Sequence, residues 1–344
     1  MSTAAAGTRE QVLDAVRSND RFLLVTHENP DGDALGSLVA MHAVLRLLGK
    51  EAVMFIAAEE FPLPYEYRFF DLDGAVTEVP HDLSQRVVVF LDCGNIDRAP
   101  EELRDPGLRI LNVDHHHDNT RFGTLDHIVP EASCTAEIVW DLMRSLGVEA
   151  TPDIADALYV GLVTDTGRFM YENTGTRAHV MAAELIEAGV DVHAIYRRLY
   201  EGVPYAKLRL LALALGAVRR FDGGRLTLSR LTREHFAEAK AEDSYSEGIV
   251  DHLRGVEGTK VAALVRELVE NGGSDGAAPR RAKVSLRAAD PAVDVSAIAR
   301  AGGGGGHRQA AGFTTQLADD ELIAFLRDAI AAQLAALPDD RSSR

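Results

Sequence analysis

The sequence predicts an α/β protein: a doubly wound, mainly parallel sheet in the first half, followed by a second, smaller α+β domain. Three observations carry this. Short apolar runs such as RFLLVT alternate with segments of helical spacing through the first half. The runs are continuously apolar, where a one-sided sheet would alternate, as befits strands covered on both faces. Beyond about residue 220 the texture changes to alternating strand candidates separated by helices.

Taken in order, residues 21–26 (RFLLVT) form a first strand that ends in polar residues. The next segment places Leu38, Met41, Leu45 and Leu48 at helical spacing and closes at Gly49. Runs at 52–56, 86–92 and 108–114 are further strands, and helices are expected at 135–146, 152–163 and 176–188. Residues 196–220, including YAKLRLLALALGAVRR, are expected as one helix linking the domains. GRLTLSRL, TKVAALVREL and RAKVSLRA then supply strands of the second domain, with a flexible NGGSDGAAPR at 271–280. The expected division is a catalytic domain at 1–195, a helical linker at 196–220, a second domain at 221–336 and a disordered tail at 337–344.

A chain of 344 residues with 46% hydrophobic and 26% charged residues has room for two globular cores. The first twenty residues lack a secretory pattern, and no stretch approaches the roughly 20 apolar residues of a membrane span. A cytoplasmic protein without membrane contact is expected. Cys93 and Cys134 make no CxxC motif and are expected as buried thiols. The formal charge of −17 argues against coating duplex DNA, which needs many basic side chains, but leaves a small anionic ligand open.

The candidate chemistry lies at the ends of strands and of one apolar helical run. VTHENPDGDALGS follows the first strand and carries His27, Asp31 and Asp33; Asp92 ends VVVFLD; Asp114, His115, His116 and His117 end LRILNVD; Asp165 follows ALYVGLV. Singly, each has a plainer reading as a cap, a turn or a solvated loop. Together they fall where an open α/β sheet binds its ligands, beyond the carboxyl ends of the strands. Several carboxylates cannot all stay ionised there without cations, and mixed imidazole and carboxylate donors suit a borderline cation such as Mn²⁺, with Zn²⁺, Co²⁺ and Fe²⁺ as competitors, over Mg²⁺. The count suffices for two ions, which points to hydrolysis of a phosphoester.

THENPDGDALGS, LDCGNIDR, NVDHHHDN and GLVTDTGRF resemble the four motifs of the DHH phosphoesterase superfamily, and GGGGGHRQAAGF resembles the glycine-rich signature of its DHHA1 domain. The resemblance covers about residues 10–335 and is closest to the bacterial nanoRNase and pAp phosphatase group. It implies one metal on His27, Asp31 and Asp92 and a second on Asp33, Asp92, His115 and Asp165, with Mn²⁺ as the expected ion. It further implies His116 beside the scissile phosphate and Asp114 behind it. His117 leaves two registers for the acting pair; His115 and His116 are taken because they directly follow Asp114. A homodimer is expected, with pAp, linear pApA, cyclic di-AMP or short RNA as substrate.

The glycine run at 302–306 lacks the GK[ST] ending of a nucleotide-kinase loop. Gly304, Gly305, Gly306 and His307 are expected as a ligand loop, since glycines let an anion approach the backbone; a flexible hinge is the plainer alternative. Arg281, Lys283, Ser285 and Arg287 share one face of a strand by period two. By resemblance Arg287 grips a substrate phosphate. Phe169 and Tyr171 are candidate platforms for bases. Rival readings are an inorganic pyrophosphatase or single-strand exonuclease on the same fold, or a non-catalytic nucleotide sensor.

Overall fold

The computed structural model describes residues 3–268, 281–306 and 308–335, and the chain divides into two compact units, 1–202 and 203–344. The first unit runs α1 (Thr3–Ser18), β1 (Arg21–Val25), α2 (Gly32–Leu47), β2 (Glu51–Met54), β3 (Val87–Leu91), β4 (Arg109–Asp114), β5 (Leu125–Ile128), α3 (Thr135–Ser145), α4 (Pro152–Asp165), α5 (Thr176–Glu187) and α6 (Val192–Tyr200). Its sheet is wholly parallel, in the order β2-β1-β3-β4-β5.

The continuous apolarity of the strands has its explanation in two cores. Phe22, Leu24, Val87, Val89, Leu91, Leu111 and Val113 pack into one with the helices. Leu23, Val25, Val88, Phe90 and Ile110 point into the other, beneath Leu103 and Phe55. That second face is covered by short 3₁₀ turns such as Leu83–Gln85 and Glu101–Arg104. The chain order reverses between β1 and β3, so the carboxyl ends of these two neighbours open the crevice where such sheets bind ligands.

Helix starts obey local chemistry. Asp31 caps α2 by accepting from the N–H groups of Asp33 and Ala34, each at 3.0 Å. Thr151 caps α4, with Pro152 in its first turn. Close approach of α2 and α4 depends on glycine: a Cβ on Gly36 would strike Ala157 O, and one on Gly161 would lie 2.8 Å from Asp33 Oδ1.

The second unit runs α7 (Tyr205–Gly216), β6 (Arg219–Phe221), β7 (Leu226–Leu231), α8 (Arg233–Ala239), α9 (Ile249–Arg254), β8 (Val261–Glu267), β9 (Ala282–Ala288), α10 (Val295–Ala301), β10 (Gly305–Gly306), β11 (Ala310–Thr315) and α11 (Asp319–Ala335). Its mixed sheet has the order β10-β11-β9-β8-β7-β6, with only β7 and β8 parallel. Buried Leu226, Val261, Val284, Leu286, Ile298, Phe313 and Leu326 form its core.

The structure departs from expectation at the linker and in three further elements. The single helix over 196–220 is instead α6, a break and α7, followed by the strand β6. Gly202 takes φ +72° and Pro204 cannot donate a helical hydrogen bond, so the helix cannot run through. The helix α1 and the short strands β5 and β10 have no counterpart in the sequence reading. The run 302–306 closes a tight corner between α10 and β11. The segments expected to be flexible, 271–280 and 337–344, lie outside the described residues.

Candidate metal centre

The strand-end motifs, and Asp165 at the end of α4, deliver their side chains to the carboxyl edge of the parallel sheet. His27, two residues beyond β1, is buried, and its Nδ1 lies 2.8 Å from Glu28 O. Asp33 sits in the first turn of α2, 1% exposed, and accepts from the backbone N–H groups of Thr135 (2.6 Å) and Ala136 (2.9 Å) at the start of α3. Asp92 follows β3 at φ +61°, a left-handed conformation uncommon for aspartate, which turns its carboxylate back over the sheet. The hydroxyl of Thr135 donates to Asp92 Oδ1 at 3.0 Å. Asp165 ends α4, where Asn173 donates to its Oδ2 at 3.2 Å.

Among the described residues, three sets of donors converge. His27, Asp31 and Asp92 have ligand atoms within 4.8 Å of one another; so do Asp33, His115 and Asp165; and so do Asp92, Asp114, His115 and His116. The sets are adjacent: His115 Nε2 lies 3.6 Å from both Asp92 Oδ1 and Asp165 Oδ2, and His27 Nε2 lies 3.6 Å from Asp92 Oδ2. His117 is exposed and belongs to none of the three.

The electrostatics show a cluster short of positive charge. Burial, then the charges of Asp92 and Asp165, pushes the Asp33 carboxyl well above the usual range. Burial pushes Asp165 up to about 7 although His115 opposes it. His115 is pulled down by burial, but Asp165, Asp92 and Asp33 together raise it to about 10. Burial also raises Asp92, yet His27, His116 and His115 outweigh it and hold that carboxyl below its ordinary value. Carboxylates crowded to this degree, interleaved with imidazoles, fit divalent cations of the borderline class.

The sequence reading missed the groups that orient these donors. Thr135 spans Asp33 and Asp92, Asn119 donates to Asp114 Oδ2 at 2.6 Å, and Arg98 Nη2 lies 2.7 Å from His27 Nδ1. Asn119 and Arg98 fall inside the motifs NVDHHHDN and LDCGNIDR, so a signal was present; Thr135 carried none beyond its place at a helix start. Phe169 stacks on His179 with ring centroids 5.1 Å apart, and Tyr171 packs over Gly167, so both rings already have partners.

In the second unit, Lys283, Ser285 and Arg287 lie on the half-exposed face of β9. Arg287 Nε is 3.3 Å from Asp251 Oδ1, and its Nη1 donates to Leu286 O at 3.1 Å. The glycines have a packing reason of their own. A Cβ on Gly304 would strike Gly312 O, and one on Gly306, at φ +132°, would lie 2.7 Å from Ala310 O. Gly305 pairs with Gly312 across β10 and β11 and has open space beside it. His307 lies outside the described residues.

A parallel sheet that gathers buried carboxylates and imidazoles at its switch point, in a chain with a second mixed-sheet unit, defines an α/β protein with a candidate metal centre. Residues 21–162 match the DHH family, N-terminal domain, and residues 225–336 match the DHHA1 domain. The bifunctional oligoribonuclease and PAP phosphatase NrnA of Thermus thermophilus is 34% identical over 306 residues, 88% of this chain and 86% of that protein. The protein of the same name from Bacillus subtilis is 24% identical over 309 residues, 88% of this chain and 92% of its own length. An exopolyphosphatase-related protein from Bacteroides fragilis shares the fold, with a TM-score of 0.81 at 21% identity over 96% of this chain and 98% of its own. The chain belongs to the DHH phosphoesterase family, whose members are metal-dependent hydrolases. Among the described residues no helix is long and apolar enough to cross a membrane.

Proposed function

We propose that this protein hydrolyses phosphoester bonds in short oligoribonucleotides and in 3′-phosphoadenosine 5′-phosphate, with linear pApA and cyclic di-AMP as further substrates. The observation that supports it is the adjacency of the donor sets through Asp92 and His115. In this reading His27, Asp31 and Asp92 hold one Mn²⁺, and Asp33, Asp92, His115 and Asp165 hold the other, with Asp92 shared. The cations, when bound, supply Lewis-acid polarisation of the phosphoryl oxygens and a nucleophile at neutral pH.

The chain's own part follows from its hydrogen bonds. Asp114, fully buried, accepts from His116 Nδ1 at 2.6 Å, which fixes the ring and its tautomer. In this reading His116, oriented in this way, gives a proton to the leaving oxygen of the substrate. Arg287 and the glycine corner, from the DHHA1 unit, hold a substrate phosphate, and arginine's fork suits that anion. The reading includes a catalytic domain at 1–195, a substrate domain at 221–336, and a cytoplasmic homodimer. The names of the relatives favour it over a pyrophosphatase, an exonuclease for long strands or a sensor.

The test is hydrolysis of pAp, pApA, cyclic di-AMP and short RNA side by side, after chelation and after adding back single cations. The chelated protein should be inactive, and Mn²⁺ should restore it better than Mg²⁺ or Ca²⁺. Full activity without metal, or none on any of the four substrates, would overturn the proposal.

A further inference from the structure

A cavity of about 350 Å³ opens in the first unit directly beside His27. Phe55, Ile56, Pro30 and Pro100 wall it with apolar surface, and Phe55 and Ile56 are 5% and 3% exposed, so these walls belong to a fixed core. Its polar groups are unevenly signed. Glu28, Glu59 and Glu60 line it, and Arg98 is the one guanidinium among them. Arg98 stands on the side of the metal centre, with Nη2 2.7 Å from His27 Nδ1 and 3.3 Å from Glu28 O. Glu60 is anchored by the backbone N–H of Asn29, which donates to its Oε2 at 2.9 Å.

The volume is at the lower end of the roughly 300–1,000 Å³ range of small-ligand pockets, enough for one nucleoside and too small for a dinucleotide. Three carboxylates repel a phosphate, so the part of a nucleotide that enters must be uncharged. Flat apolar walls suit a heterocycle, and an anchored carboxylate, which only accepts, suits a base that carries an exocyclic amine. A phosphate attached to that nucleoside would remain outside, next to Arg98 and the carboxylate and histidine donors.

We propose that this cavity is the subsite for an adenine nucleoside of the substrate, with the base between Phe55 and the proline walls, its amine on Glu60, and its phosphate beside Arg98. The inference rests on the phosphoesterase reading and adds to it the place where the adenine base is held. It also explains why Glu60 is tied back to the loop that carries His27, Asp31 and Asp33: the base and the phosphate are then held by one rigid segment.

The experiment is calorimetric binding of AMP and of IMP, which differ in having an amine or a carbonyl on the purine, to the wild type, Ala57→Leu and Glu60→Ala. Ala57 lines the cavity at the margin of the core that holds Phe55, and leucine there adds bulk to the cavity wall. The wild type should bind AMP roughly tenfold or more tighter than IMP, the scale of one hydrogen bond to a charged group. Glu60→Ala should bring the two ligands close together, and Ala57→Leu should weaken both by about tenfold. Equal affinity of the wild type for AMP and IMP, or unaltered AMP binding in Ala57→Leu, would overturn the assignment. Hydrolysis of pAp is measured on the same preparations. Absent hydrolysis with an intact AMP preference would remove the phosphoesterase reading while supporting the subsite.

Discussion

His116 Nδ1 lies 2.6 Å from Asp114 Oδ1, and Asn119 Nδ2 holds the other oxygen of that carboxylate at the same distance. Burial raises the Asp114 carboxyl, but the charge and hydrogen bond of His116 outweigh it and keep it below the usual range. His116 is raised in turn, since the Asp114 charge and hydrogen bond outweigh its own burial. Asp114→Asn keeps the shape and removes the charge. It should lower kcat by about 10- to 100-fold, as loss of an orienting partner does, with KM little altered. Metal content measured on the same sample should be unchanged. A wild-type kcat would show that His116 needs no orienter.

Asp92 belongs to the set with His27 and Asp31 and lies 3.6 Å from His115 of the set with Asp33 and Asp165, so its removal should collapse the centre. Asp92→Ala is expected to lose at least about a hundredfold in activity, together with bound metal. Asp97→Ala is the comparison, an exposed neighbour whose backbone N–H donates to Asn95 Oδ1 at 3.0 Å. It should retain most of its activity. Similar rates for the two variants would sink the shared-ligand assignment.

A stability prediction comes from outside the centre. His127 on β5 is fully buried, with Nδ1 2.9 Å from Thr8 Oγ1, and burial pulls its pKa down to about 4. The unfolded chain, with an ordinary value near 6.5, binds the proton more readily than the folded one. Stability from this group is therefore full above pH 6.5 and is lost as the pH falls towards 4, by up to about 3 kcal/mol. Urea unfolding at pH 7.5 and pH 4.5 should show a smaller pH dependence in His127→Gln than in the wild type. Equal dependence would mean that other groups carry the acid sensitivity.

The sheet and the donor set were legible because both are written locally. A run buried on two faces must be apolar throughout, and an aspartate or histidine just past such a run marks the ligand edge, as His27, Asp92 and Asp114 do. What escaped was tertiary. The strand β5, LDHI, mixes polarities, and its histidine is buried only because α1 brings Thr8 against it. The apolar spacing on both sides of Gly202 and Pro204 masked a helix break. The glycine run reads as a ligand loop, but that Gly304 and Gly306 also leave no room for a Cβ, against Gly312 and Ala310 across a corner, is announced by no local pattern.

Arg287 separates the roles of the two units. Its Nε faces Asp251 Oδ1 at 3.3 Å and one terminal nitrogen donates to Leu286 O, so the guanidinium is held in one orientation on the half-exposed face of β9. If it grips a substrate phosphate while the donors of the first unit hold the metals, Arg287→Ala should leave both metals bound and weaken the substrate's hold. Loss of one charge-assisted contact costs on the order of 1.5 to 3 kcal/mol, roughly ten- to a hundredfold in kcat/KM. The loss should be greatest on pAp and dinucleotides, which have few other contacts, and least on an aryl phosphodiester too small to engage a second phosphate site. Metal content and kcat/KM on pAp, a dinucleotide, a longer RNA and the aryl ester decide it. A uniform fall across all four substrates, or loss of metal, would show that Arg287 supports the fold and does not read the substrate.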